Sequence, residues 1–271
     1  MINPSPMSAG RSPLAGDALV PGGRKGIARK RAPAKAGYLL AFGLLLAVSG
    51  IAHADQPPTL SPAKTAAAAN LVDIRTLVPD MAEDIKYAGS DNFVGAPVDG
   101  YLAPKCLLLR PVAEALARVE RELRTQHRRL KIWDCYRPAR AVAHFVRWAH
   151  DLGDQRTKPQ HYPALDKSKL LGGYIAPVSG HSRGATIDLT LQQCAADGSH
   201  CKPLDMGTDF DFFDVRAHTD TPDVTAQQHA NRLLLRDAMQ REGFRNYPME
   251  WWHYTLSPEP TPHTLYDVPV Q

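Results

Sequence analysis

His181 and Asp188 lie in the run SGHSRGATIDLTL, from Ser179 to Leu191. They are an imidazole and a carboxylate, donor types that a borderline-soft cation such as Zn²⁺ accepts. Gly180 and Gly184 flank His181 and let the chain turn tightly there. From Ala185 onward the run alternates, with Thr186, Asp188 and Thr190 on one side and Ile187, Leu189 and Leu191 on the other. This reads as a strand with a buried apolar face and a polar face that carries Asp188, entered from a turn that carries His181. A catalytic zinc site needs a third protein donor and an open position for water. His253, in MEWWHYTL, is the candidate donor, and Glu250, three residues earlier, is the candidate acid/base. A helix would place Glu250 and His253 on one face and a regular strand would place them on opposite faces. The aromatic sequence there reads as strand, so a bulge or a strand end near Trp251 is required.

Each of these residues has a plainer reading. A single histidine is more often a surface or hydrogen-bonded residue, and His144, His150, His161, His200, His218, His229 and His263 are read so. Asp188 is less ambiguous, because a carboxylate in an apolar strand is costly unless it is paired or bound to a cation. Arg137, in WDCYRPAR, would suit a developing oxyanion; on spacing alone it is a turn residue paired with a nearby acid. Asp209 and Asp211, in MGTDFDFF, are either a solvated acidic loop or a seat for a substrate ammonium.

Three amphipathic helices and several short strands must position these groups. A strand is expected near Asp84–Tyr87. Pro111 to His127 is predicted helical, with Pro111 suited to the first turn and Val112, Leu116, Val119 and Leu123 at helical spacing. Leu130 to Cys135 reads as a strand, and a second helix runs from Pro138 to about Leu152. Residues 153–178 and 206–225 read as long loops. Thr225 to Glu242 is the third helix, stopped by Gly243. Tyr247 to Leu256 reads as a final strand-pair region. The mixture indicates a single α+β domain over residues 71–271.

Ahead of it, Arg24, Lys25, Arg29, Lys30, Arg31 and Lys35 precede the apolar run Tyr38–Ala52 and a small-x-small site ending at Ala54. That order is a secretory signal peptide over residues 1–54, too short in its apolar part to be a stable membrane span. Residues 55–70, rich in Pro and Ala, read as a flexible leader. Seven of the 32 basic and one of the 28 acidic residues lie in the signal, so the mature chain carries 25 against 27, a net −2. The basic balance therefore belongs to the targeting segment and gives no reason to expect nucleic acid as a partner. Export to an oxidising compartment, the periplasm, favours disulfides among the four cysteines. Three pairings are open to them, and Cys106–Cys135 with Cys194–Cys201 is the one adopted.

Taken together, the segments YAGSDNFVG, WDCYRPAR, SGHSRGATIDLTL, MGTDFDFF and MEWWHYTL, in that order, closely resemble the D-alanyl-D-alanine dipeptidases. These are zinc peptidases of the vancomycin-resistance type, in the wider group that includes zinc D,D-carboxypeptidases and the hedgehog signalling domain. The likeness covers roughly Leu71 to Val270. It implies a hedgehog/D,D-peptidase-like fold, a small antiparallel sheet flanked by helices, with one Zn²⁺ per chain held by His181, Asp188 and His253. It further implies Glu250 as catalytic acid/base, Arg137 as the transition-state arginine, Asp211 as the acid meeting the substrate's free amino end, and Ser179 near the substrate. The activity implied is hydrolysis of the dipeptide D-Ala-D-Ala by a water activated at zinc. The competing readings are a D,D-carboxypeptidase that trims pentapeptide stems and a zinc-containing wall-binding module without turnover. Cys135 stands where the resistance enzymes are expected to carry glycine.

Overall fold

The computed structural model describes residues 57–271. The expected signal peptide and its cut after Ala54 lie outside the described residues. In chain order the first elements are β1 (Thr59–Leu60), β2 (Leu71–Asp73), β3 (Ala82–Glu83), β4 (Leu107–Leu109), α1 (Arg110–Arg124), β5 (Arg128–Asp134), α2 (Ala139–His150) and α3 (Lys158–His161). They are followed by β6 (Thr186–Gln193), β7 (Lys202–Pro203), α4 (Ala226–Arg241), β8 (Phe244–Asn246), β9 (His253–Leu256) and β10 (Thr264–Leu265).

The three predicted helices form, each within a few residues of its expected ends. In α1 the apolar stripe of Val112, Leu116, Val119 and Leu123 is buried to 1% exposure or less. Each such side chain stabilises the packed helix by roughly 1.5–3 kcal/mol. Thr225 opens α4 with a capping box, its hydroxyl accepting from Gln228 N–H and the Gln228 side chain accepting from Thr225 N–H.

The main sheet has six strands in the order β3-β5-β6-β9-β8, with β7 also paired to β6. It is antiparallel except at its β3 edge, where β3 runs parallel to β5. β5 carries a bulge at Trp133: Ile132 faces Leu189, and Asp134 faces Asp188, one position earlier on the partner. The extra residue reverses the alternation. Ile132 thus stays with the apolar core while Asp134 joins the face of Asp188.

Several expectations need correction. The strand expected near Asp84–Tyr87 lies at Ala82–Glu83, and Lys86–Ala88 is a 3₁₀ turn. Residues 57–70 are not a free leader: β1 pairs in parallel with β10, and Ala69 is buried. The loop 153–178 contains α3 and a 3₁₀ turn at Lys167–Lys169. Beyond these corrections, the polar face of β6 is buried as well as its apolar one, with Thr186, Asp188 and Thr190 all 2% exposed or less. β6 is an interior strand, and Thr186 satisfies its hydroxyl against Thr255 at 2.9 Å. Both disulfides have the expected pairing.

Candidate metal centre and active site

Three adjacent strands bring the donors together. Asp188 lies opposite Asp134 on one side and opposite His253 on the other, so residues far apart in the chain form one row across β5, β6 and β9. His181 enters from the 3₁₀ turn Gly180–Arg183, where the Ser179 hydroxyl caps the turn by accepting His181 N–H at 3.3 Å. Gly184 leaves that turn with φ +72°, the left-handed region that glycine tolerates. β9 begins at His253, and the preceding tight turn at Trp251–Trp252 carries Glu250 and His253 to the same side. Glu250 Oε2 lies 3.4 Å from His253 Nδ1.

One donor atom from each of His181, Asp188 and His253 lies within 4.8 Å of the others. His181 Nε2 is 3.2 Å from Asp188 Oδ2 and 3.3 Å from His253 Nδ1. His253 Nδ1 is 3.1 Å from Asp188 Oδ1. The fit to a cation can be judged from the protons. His181 Nδ1 sits 2.7 Å from the Cys135 carbonyl, an acceptor only, so the ring proton is on Nδ1 and Nε2 holds a lone pair. Burial keeps this imidazole below its usual pKa and so neutral. Asp188 Oδ1 is buried and accepts no hydrogen bond of proper geometry. Burial opposes the charge on Asp188, yet His181 and His253 outweigh it and hold the carboxyl below its ordinary range. Two imidazoles and an ionised carboxylate converging with a spare lone pair form a donor set that fits a zinc ion.

The centre opens into a cavity of about 380 Å³ whose wall includes Arg137, Ser179, Asp211, Tyr174, Phe213 and Glu250. Burial, reinforced by Asp188 and opposed by His253, lifts the Glu250 carboxyl to about 7. The Arg137 guanidinium is held by Asp134, Nε at 3.0 Å and Nη2 at 2.9 Å, and lies 5.0 Å from the rings of Tyr87 and Phe145. Its Nη2 also reaches within 3.5 Å of Asp188 Oδ2. Asp134 is fully buried and accepts a second bond from Tyr101 OH at 2.6 Å. Asp211 is buried with φ +56°, and its Oδ2 accepts from Tyr87 OH at 2.8 Å. Burial, then the charge of Asp188, pushes its carboxyl well above the usual range. A cation brought next to it would relieve both effects.

A profile described as D-ala-D-ala dipeptidase matches residues 67–271. The chain belongs to the D-Ala-D-Ala dipeptidase family. Curated relatives called D-alanyl-D-alanine dipeptidase include one from Streptomyces coelicolor, 43% identical over 72% of this chain and 95% of its own length. Others come from Enterococcus faecium (41%, covering 69% of this chain and 92% of the relative) and Escherichia coli (34%, 69% and 84%). A solved structure of a vancomycin resistance D,D-pentapeptidase, VanY, in complex with Zn(II) matches at 14% identity and a TM-score of 0.35. That match covers 58% of this chain and 76% of that one.

Of the site residues expected of this dipeptidase-family chain from its sequence, His181, Asp188, His253, Glu250, Arg137, Asp211 and Ser179 face the one cavity. Asp209 does not. It is exposed and lines a separate hollow of about 300 Å³ with Trp133 and Asp205. Sequence reasoning missed Asp134, Tyr87, Tyr101 and the Cys135 carbonyl. Asp134 carried a faint signal, an acid closing the apolar strand LKIWDC three residues before Arg137. Backbone carbonyls carry none.

Proposed function

We propose that this chain is a zinc peptidase that hydrolyses D-Ala-D-Ala to D-alanine. The convergence of His181, Asp188 and His253 within 4.8 Å, with Glu250 beside them, supports it most directly. These three residues would hold the Zn²⁺, which when bound supplies a Lewis acid that polarises the scissile carbonyl and acidifies water. Glu250 takes a proton from the attacking water as its oxygen bonds to the carbonyl carbon. It then gives that proton to the amide nitrogen as the C–N bond breaks. Its position 3.4 Å from His253 Nδ1, on the cavity wall, puts it within reach of both transfers. Arg137, fixed by Asp134 and by the two aromatic rings, faces the oxygen on which negative charge develops. Asp211 receives the free ammonium of the dipeptide, whose charge offsets the cost of ionising a buried carboxyl.

That last contact favours a free dipeptide over a stem peptide, which has an amide in place of the ammonium. The test is a parallel assay on D-Ala-D-Ala and on a pentapeptide ending in D-Ala-D-Ala. Dipeptide turnover should dominate, and preferential release of D-alanine from the pentapeptide would replace this reading with a carboxypeptidase.

We further assign the mature chain to the periplasm. The basic-apolar-small order of residues 24–54 supports export, and the two disulfides, with no free cysteine among the described residues, suit an oxidising compartment. No helix among the described residues is long and apolar enough to cross a membrane.

A further inference from the structure

Cys135 meets the site through its backbone. Its carbonyl accepts His181 Nδ1–H at 2.7 Å. Two residues on, Arg137 N–H donates to the His181 carbonyl at 3.3 Å. The turn after β5 and the Gly180–Arg183 turn are therefore bonded to each other in both directions. Both also rest on β4: Tyr136 N–H donates to Leu107 O at 2.9 Å, and Leu109 N–H donates to Gly184 O at 3.0 Å. Cys106 immediately precedes β4 and is joined to Cys135 by a disulfide whose half-cystines are 0% and 1% exposed.

A neutral imidazole has a single N–H, and the atom that holds it decides which nitrogen can bind a cation. With Cys135 O in place, the proton stays on Nδ1 and Nε2 points at Asp188 and His253. Should that carbonyl drift, only Asp134 Oδ2, 3.5 Å from Nδ1, would remain as an acceptor there, and the ring could rotate or carry its proton on Nε2, a form that cannot ligate through that nitrogen. Only backbone hydrogen bonds would then hold the carbonyl in register with β4.

We infer that the Cys106–Cys135 disulfide is a positioning element for the metal centre: it fixes the Cys135 carbonyl against β4 and so holds His181 in its ligating tautomer and orientation. The inference rests on the reading of His181, Asp188 and His253 as metal donors. The second bridge, Cys194–Cys201, closes the loop between β6 and β7 and provides the control.

The experiment measures the Zn²⁺ dissociation constant of the purified protein by competition with a chromophoric chelator, together with the ligand-field spectrum of the Co²⁺-substituted form. Cys106→Ala/Cys135→Ala should bind Zn²⁺ about ten-fold or more weakly, the usual cost of losing an outer partner of a ligating histidine, and should shift the Co²⁺ bands. Cys194→Ala/Cys201→Ala should change neither. If the first pair does not yield folded protein, Cys106→Val/Cys135→Ala, which restores part of the lost volume, is measured instead. Wild-type affinity in the folded Cys106/Cys135 variant, or equal weakening in both pairs, overturns the inference. A wild-type protein that takes up no Zn²⁺ overturns the metal-centre reading and this inference with it, and that failure shows before any cysteine is changed.

Discussion

Glu250 is a buried carboxylate lifted to about 7, and the proposed function makes it a reversible proton carrier. Replacing it by glutamine keeps its size and hydrogen-bonding reach but removes the transferable proton. Glu250→Gln should therefore lower kcat by roughly 10²–10⁴ while the protein still binds one equivalent of Zn²⁺, as read by metal analysis beside the rate. An unchanged kcat would remove Glu250 from the chemistry. Of the candidate donors, Asp188 was the most legible in the sequence, because it sits on a strand whose alternate residues are apolar, where a carboxylate demands a partner. Their supports were not. Asp134 acquires its position from the bulge at Trp133, and nothing in LKIWDC announces an extra residue. Asp211 was legible only through its resemblance to a known motif. By composition it is one acid among several, and its burial against Tyr87 is set by a contact 124 residues away.

Elements of helical length announced themselves, because α1, α2 and α4 repeat apolar residues over three or more turns. Strands of two or three residues carry no usable period, which is why β1 and β10 were not foreseen and β3 was expected a few residues too late. The covering of β6 was hidden for another reason. Alternation reveals which residues share a face, but not whether a later segment packs over it. Two predictions belong to this scale. Gly184 ends the His181 turn at φ +72°, and a Cβ there would meet Leu71 Cδ2 at 2.9 Å and Leu109 Cγ at 3.2 Å. Gly184→Ala should cost about 1–3 kcal/mol from backbone strain alone, seen as a lower urea midpoint, and an unchanged midpoint would mean the turn has a relaxed alternative. Glu83, on β3, has a side chain 2% exposed, and burial lifts its carboxyl from 4.5 to about 7 despite Arg75 at 3.5 Å. The unfolded chain releases this proton near 4.5 and the folded one only near 7. Stability therefore falls as pH rises between those values, and the penalty is complete above them. Glu83→Gln should be more stable than wild type by on the order of 2 kcal/mol at alkaline pH and equal to it below the unfolded pKa. Parallel pH-stability curves for the two proteins would contradict this.

At the scale of the whole molecule, the sheet gathers what the chain disperses. β5, β6 and β9 are separated in sequence by helices and long loops, yet they lie side by side, and their register sets Asp134, Asp188 and His253 in one row. The order of the five motif segments along the chain was enough to suggest the family. The path that joins them was not, because β6 pairs with β9 across the loop and helix of residues 194–252. The account as a whole depends on Asp188 and His253 of that row, together with His181, holding a metal ion beside Glu250. The most direct measurement is D-Ala-D-Ala hydrolysis by the purified protein, followed through chelation and then through stepwise return of Zn²⁺. Activity should vanish on chelation and return in full at one equivalent per chain. Turnover that persists in the metal-free protein, or no hydrolysis of the dipeptide at any Zn²⁺ level, would contradict it.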